Sequence, residues 1–174
     1  MTVWFDNGNK DREGIIRGNE PEGKWTYYYP DGEKDFIFDY GNGLERVRIS
    51  ELESREDVFY KIGQYKPYNG MVIETGGIKE YLMLGRIQSG KKDGQWVQWY
   101  RNGQKEVEGI YYRGKKHGDW TLWYEDGTLK EKGTFDMGVA DGNYQYWYPN
   151  GHLHMEQSYN KGCLLYTSPS PRDA

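Results

Sequence analysis

The stretch Trp96-Val97-Gln98-Trp99-Tyr100-Arg101-Asn102-Gly103 returns 24 residues later as Trp120-Thr121-Leu122-Trp123-Tyr124-Glu125-Asp126-Gly127, and again as Tyr144 to Gly151. The glycines keep the same step: Gly109, Gly114 and Gly118 recur as Gly133, Gly138 and Gly142. A fixed period of about 20–50 residues marks a repeat array, in which each unit buries its apolar side against its neighbours. This constraint outranks any local reading of secondary structure.

Upstream, Gly23-Lys24-Trp25-Thr26-Tyr27-Tyr28-Tyr29-Pro30-Asp31-Gly32 is a further unit, and Trp4-Phe5-Asp6-Asn7-Gly8 is the second half of one before it. Met1 falls one period before Trp25, so the chain opens inside a repeat. Gly32 to Gly103 is 71 residues, one short of three periods. Residues 41–63 therefore read as a degenerate insert or linker between repeats over 1–40 and repeats over 64–162. Ser50 and Glu53 within it have the spacing of a capping box, and a short helix start is one alternative there. Gly76-Gly77 reads as a hairpin turn, with Lys79 to Gln88 as its return strand. Beyond Gly162 the pattern stops. Residues 163–174 share nothing with the array and read as a non-native or disordered tail, and both ends point to a fragment of a longer array.

Asn-Gly or Asp-Gly between strand-like residues is the strongest short-range hairpin signal. It occurs at Gly8, Gly32, Gly103, Gly127 and Gly151, each preceded by Asn or Asp. These glycines are the expected structural turn residues, in two-residue type I′ loops. That choice sets the register: Tyr124 opposite Leu129, Trp123 opposite Lys130, Leu122 opposite Glu131, Trp120 opposite Gly133 and Trp96 opposite Gly109. A ring laid over a bare glycine of a neighbouring strand is a known packing device. The fold class is all-β: an antiparallel meander of repeated hairpins forming one elongated, twisted sheet.

Side chains alternate between the two faces of a strand. One face carries Trp120, Leu122, Tyr124 and Phe135, or Tyr144, Tyr146 and Tyr148 in the last unit, and is the buried one. The other is polar except for one aromatic residue per unit: Tyr28, Trp99, Trp123 and Trp147. Two readings of that row stand side by side. Lysine stems cover the rings, with Lys130 over Trp123 as a cation–π pair; or the rings form an exposed strip for a partner.

The phrase Gly-Lys-Lys-His-Gly-Asp-Trp-Thr-Leu-Trp-Tyr-Glu-Asp-Gly-Thr-Leu-Lys, from Gly114 to Lys130, resembles the MORN-variant repeat. More narrowly it looks like the bacterial YwqK-like proteins, which carry an antitoxin label. Lys66-Pro67-Tyr68-Asn69-Gly70-Met71-Val72 is similar to that family's divergent segment. The resemblance implies a meander of hairpins and a toxin-like protein partner, and it brings no catalytic motif.

Composition narrows the function classes. Net charge is −4, which argues against a nucleic-acid footprint and against electrostatic docking on anionic lipid. No apolar run is long enough for membrane insertion, and no leader is visible, so a cytoplasmic location is expected. A single cysteine excludes a disulfide framework. No cofactor, metal or catalytic set is expected. His152-x-His154-x-Glu156 has metal-ligand spacing on a strand but reads as a solvated face, and His117 reads as turn chemistry. The loops Gly90–Gly94 and Gly114–Gly118 are lysine-rich and read as solvated connections. The expected function is a non-catalytic protein-binding scaffold. A glycan-binding aromatic module and a scaffold for lipid headgroups are the alternatives.

Overall fold

The computed structural model describes residues 1–41, 43–76 and 81–169. Gly77 of the expected hairpin turn and residues 79–80 of its return strand therefore lie outside the described residues. The chain forms two compact units, residues 1–45 and 46–174.

The first unit is a four-stranded antiparallel sheet of β1 (Thr2–Trp4), β2 (Lys10–Arg17), β3 (Glu20–Tyr28) and β4 (Lys34–Asp39), in that order. Its core is Trp25, Tyr27, Phe38 and Tyr40.

The second unit begins with β5 (Arg46–Arg48), a 3-10 turn (Ile49–Glu51), β6 (Leu52–Arg55) and β7 (Val58–Lys61). Then come β8 (Gly70–Thr75), β9 (Tyr81–Gln88), β10 (Lys91–Lys92), β11 (Gly94–Trp99), β12 (Lys105–Tyr112) and β13 (Lys115–Trp123). The last four are β14 (Leu129–Asp136), β15 (Val139–Trp147), β16 (Leu153–Asn160) and β17 (Cys163–Pro169). An eleven-stranded sheet runs β17 back to β11, then β9, β8 and β5, with β10 on β9. β6 and β7 pair separately. The fold is all-β and built of repeated hairpins, as expected, but its strands divide among three sheets rather than one.

Two kinds of turn alternate along the meander. At the Asx-Gly end the loop has three residues, not two. Gly127 N–H donates to Tyr124 O at 2.9 Å and Tyr124 N–H to Thr128 O at 2.8 Å. Only Gly127 has positive φ (+86°); Asp126 does not. This is a type I turn closed by a left-handed glycine bulge. Asp126 serves through its side-chain oxygen, which accepts from Thr128 N–H at 2.8 Å, and the Oδ1 atoms of Asn7, Asp31, Asn102 and Asn150 accept in the same way in their units. All five predicted turn glycines have positive φ. The extra loop residue shifts the register, so Trp123 faces Leu129, whereas Leu122–Glu131, Trp120–Gly133 and Trp96–Gly109 pair as expected. The two-residue loops lie at the opposite ends, at Arg113-Gly114, Met137-Gly138 and Lys161-Gly162, where both residues have positive φ.

Among its described residues the insert 41–63 holds no α-helix. Ser50 lies inside the 3-10 turn, whose acidic partner is Glu51: its carboxylate accepts from Arg48 N–H at 3.1 Å. β5 pairs parallel with β8. The β6–β7 hairpin brings Leu52 and Phe59 onto a core of Val47, Tyr68, Val72, Ile87 and Trp96. This segment covers the start of the regular array, the place where a repeat protein needs a cap. The following unit has kept its skeleton: Asn69 Oδ1 accepts from Ser89 N–H at 2.6 Å, as Asp93 accepts from Arg113 and Asp141 from Lys161.

Of the tail 163–174, expected to be non-native or disordered, residues 163–169 are ordered, and residues 170–174 lie outside the described residues. Residues 163–169 form β17, paired with β16 across the Lys161-Gly162 turn. A strand needs backbone partners more than a repeat sequence, and β16 offers an edge.

Candidate functional site

Each repeat positions its rings through one glycine. A Cβ on Gly109 would stand 2.2 Å from Trp120 Cδ2, on Gly85 2.4 Å from Trp96, on Gly14 2.4 Å from Trp25, and on Gly133 2.2 Å from Tyr144. The ring thus lies on the glycine of the preceding strand, and not, as expected, on the glycine that the hairpins of Trp96 and Trp120 place opposite them; Trp25 and Tyr144 face Phe38 and Gln157 there. The indole N–H then donates to the carbonyl just after that glycine: Trp25 to Ile15 (2.9 Å), Trp96 to Arg86 (3.1 Å) and Trp120 to Ile110 (3.1 Å). Both β2–β3 and β12–β13 shift register at this point, which exposes the carbonyl the indole satisfies.

The result on the apolar face is a track of edge-to-face rings. Trp96, Tyr111, Trp120, Phe135, Tyr144 and Tyr159 follow one another with centroids 4.9–6.4 Å apart. Trp96, Trp120 and Tyr144 are buried, while Tyr111, Phe135, Tyr146 and Tyr159 are half-buried and Tyr148 is 39% exposed. Two lysines fold onto this track. Lys92 Nζ lies 4.5 Å from Trp96 and 5.0 Å from Tyr111; Lys116 Nζ lies 4.4 Å from Trp120 and 4.9 Å from Phe135. Burial, and then the charge of Lys116, holds the Lys92 ammonium below the usual lysine range. The lysine-rich loops are therefore not simply solvated connections. Sequence reasoning missed these two residues because lysine in a Gly-rich stretch reads as solvated. Their recurrence four residues before a Trp was the available signal.

The four predicted partner-binding rings fare differently. Trp99 is only 5% exposed, and Tyr28, Trp123 and Trp147 are half-buried. Lys105 Nζ, not Lys130, covers Trp123 at 5.4 Å, and Lys130 lies over Tyr124 at 5.5 Å. The register shift at the turn explains the exchange. Lys105 is held by Glu108 at 2.8 Å. Tyr28 repeats the arrangement: Lys10 covers it at 5.7 Å, Lys10 pairs with Glu13 at 2.8 Å, and the Tyr28 hydroxyl donates to Glu13. The hydrogen bond to Glu13 is the main cause that raises the Tyr28 phenol pKa. The polar-face row is thus not a strip of four bare rings.

Among the described residues no group of three or more His, Cys, Asp or Glu side chains is placed to hold a metal ion. The His154 ring lies 4.3 Å from that of Tyr148, tilted by 48°, and Glu156 accepts from Gln145 at 2.9 Å. His117 lies in β13 and faces Asp136 at 3.4 Å, in the position where Asp93 and Asp141 brace a neighbouring turn. No helix among the described residues is long and apolar enough to cross a membrane.

Stacked hairpins with ring-on-glycine packing define a β-hairpin repeat scaffold. The family model for the MORN repeat variant matches residues 21–42, 92–113, 116–137 and 140–161, together just over half of the chain, and the chain belongs to that family. No curated protein matches the chain. The matched units coincide with β3–β4 and with the three hairpins from β11 to β16. The β5–β9 region between them is where the repeat is replaced or degenerate.

Proposed function

We propose that the chain is a non-catalytic protein-binding scaffold. The observation that supports this reading is the ring track on the apolar face. From Tyr111 to Tyr159 it offers half-buried aromatic rings at a fixed spacing. Half-buried aromatic side chains supply contact area at low entropic cost and are the side chains that anchor interfaces. Trp123 and Trp147 on the polar face are a second, smaller contact candidate. A toxin-like partner, implied by the YwqK-like resemblance, is the specific form of the proposal. The buried Trp99 interrupts the ring row that glycan stacking would need.

The test is affinity capture with the full chain as bait beside two variants, Tyr146→Ala/Tyr159→Ala and Trp123→Ala/Trp147→Ala. A protein retained by the wild type and lost from the first variant, with matched circular dichroism, is the expected result. Loss only from the second variant moves the interface to the polar face. Equal retention by all three baits overturns the reading.

A further inference from the structure

Three successive repeats build the same ring pair. Trp96–Tyr111, Trp120–Phe135 and Tyr144–Tyr159 have centroid separations of 5.8, 6.4 and 6.1 Å and interplanar angles of 78°, 81° and 77°. In the first two, the residue four before the leading ring is a lysine whose ammonium stands over both rings. In the third that residue is Ala140, and among the described residues no cation lies over Tyr144 or Tyr159.

A second substitution runs in the opposite sense. The strand preceding each pair contributes Met83, Val107 and then Glu131 at equivalent positions. Glu131 is half-buried, accepts from the Tyr144 hydroxyl at 2.5 Å, and has no ion-pair partner among the described residues. The first two pairs thus combine an apolar neighbour with a built-in cation. The third combines a carboxylate with none. A cation over an aromatic face gains more where it is partly desolvated, and a nearby carboxylate adds to that attraction. Tyr144 itself is buried, and the pair opens to solvent through Tyr159 and Ala140, both half-buried, whereas both rings of the corresponding Trp25–Tyr40 pair of the first unit are buried.

We propose that Tyr144, Tyr159 and Glu131 form an ammonium-binding site whose occupant is a lysine side chain of a protein partner. Lys92 and Lys116 display the bound geometry within the same molecule. The proposal rests on the protein-binding reading for the source of that lysine. Ammonium binding itself is measured on the isolated chain, so failed capture and a failed site are separate results.

The experiment is a low-salt titration of the full chain with Nα-acetyl-lysine methylamide, followed by the NMR ring-proton shifts of Tyr144 and Tyr159. The neutral isostere Nα-acetyl-norleucine methylamide and tetramethylammonium are run beside it. Saturable shifts with the lysine probe and none with the norleucine probe are expected. Glu131→Gln, which still accepts from Tyr144, should weaken binding roughly three- to fivefold. Ala140→Lys, which copies residues 92 and 116 on the same backbone, should abolish the shifts while circular dichroism is unchanged. Equal binding of the norleucine probe, or undiminished binding by folded Ala140→Lys, overturns the site. Tetramethylammonium bound without the lysine probe overturns the lysine as occupant.

Discussion

Gly109→Ala adds a single methyl group, and its effect is set by Trp120. Gly109 has no left-handed φ, so alanine introduces no backbone strain there. Glycine in a strand interior ordinarily costs roughly 0.5–1 kcal/mol relative to alanine, so propensity alone predicts a more stable protein. The packing predicts the reverse. The new Cβ would lie 2.2 and 2.3 Å from Trp120 Cδ2 and Cε2. The ring must move by more than 1 Å to reach ordinary contact of about 3.5–4.0 Å. It has little room, being 3% exposed, bonded through its indole N–H to Ile110 O, and packed on Tyr111 and Phe135 under Lys116. Moving it gives up about 1 kcal/mol for the hydrogen bond, about 0.5–1.5 for each aromatic contact and about 0.5–1 for the cation–π contact. Partial relaxation brings the expected loss to about 3 kcal/mol.

Urea unfolding followed by far-ultraviolet circular dichroism measures it, as a double-mutant cycle with Trp120→Ala. Trp120→Ala alone should cost about 3–5 kcal/mol. In that background Gly109→Ala should be neutral or slightly stabilising, which gives a coupling of about 3 kcal/mol between the two sites. A Gly109→Ala protein within about 0.5 kcal/mol of wild type refutes the reasoning. So does an equal cost in both backgrounds, because the penalty would then not come from the ring.

The two turn types predict opposite responses to glycine chemistry. Gly127→Ala, at φ +86°, should lose about 1–2 kcal/mol in denaturant melts, whereas Met137→Gly, at φ +49° in a two-residue loop, should gain about 1 kcal/mol. Tyr144 is raised above the ordinary phenol value of 10.0, first by burial and then by its hydrogen bond to Glu131. A raised folded pKa gives stability that is full below the unfolded value and is lost as pH climbs above it. Stability should therefore fall above pH 10, by up to about 1.4 kcal/mol per pH unit for this group, and Tyr144→Phe should flatten that slope in melts between pH 9 and about 11. Removing the β6–β7 cover by Phe59→Asp should expose the core around Val72 and Ile87 and lower the melting temperature of residues 46–174. An unchanged melting temperature would show that the insert is not a cap.

The parts of this molecule that were legible in its sequence are those that period alone determines. The register that sets Trp120 opposite Gly133 followed from counting, and the hairpins from the recurring Asx-Gly; that the ring packs instead on Gly109 of the preceding strand did not. What failed to read through had a physical reason in each case. Asx-Gly serves a two-residue loop through backbone φ and a three-residue loop through a side-chain acceptor, and the φ of Asp126 and the hydrogen bond it accepts from Thr128 N–H, neither of which is written in the sequence, tell them apart. The true two-residue loops were hidden because Arg113, Met137 and Lys161 are not residues that favour positive φ; the neighbouring strand holds them, as when Gly138 N–H donates to Lys116 O at 2.8 Å. β5 was invisible because a three-residue parallel strand takes its stability from β8, more than twenty residues away, and not from its own pattern. The candidate site shows the same limit. The rings were legible, but what covers them was decided by a one-residue shift at Trp123 and by where lysine stems come to rest. Lys92 and Lys116 cover two ring pairs, and the exchange to Ala140 and Glu131 at the third acquires meaning only once the repeats are overlaid in space.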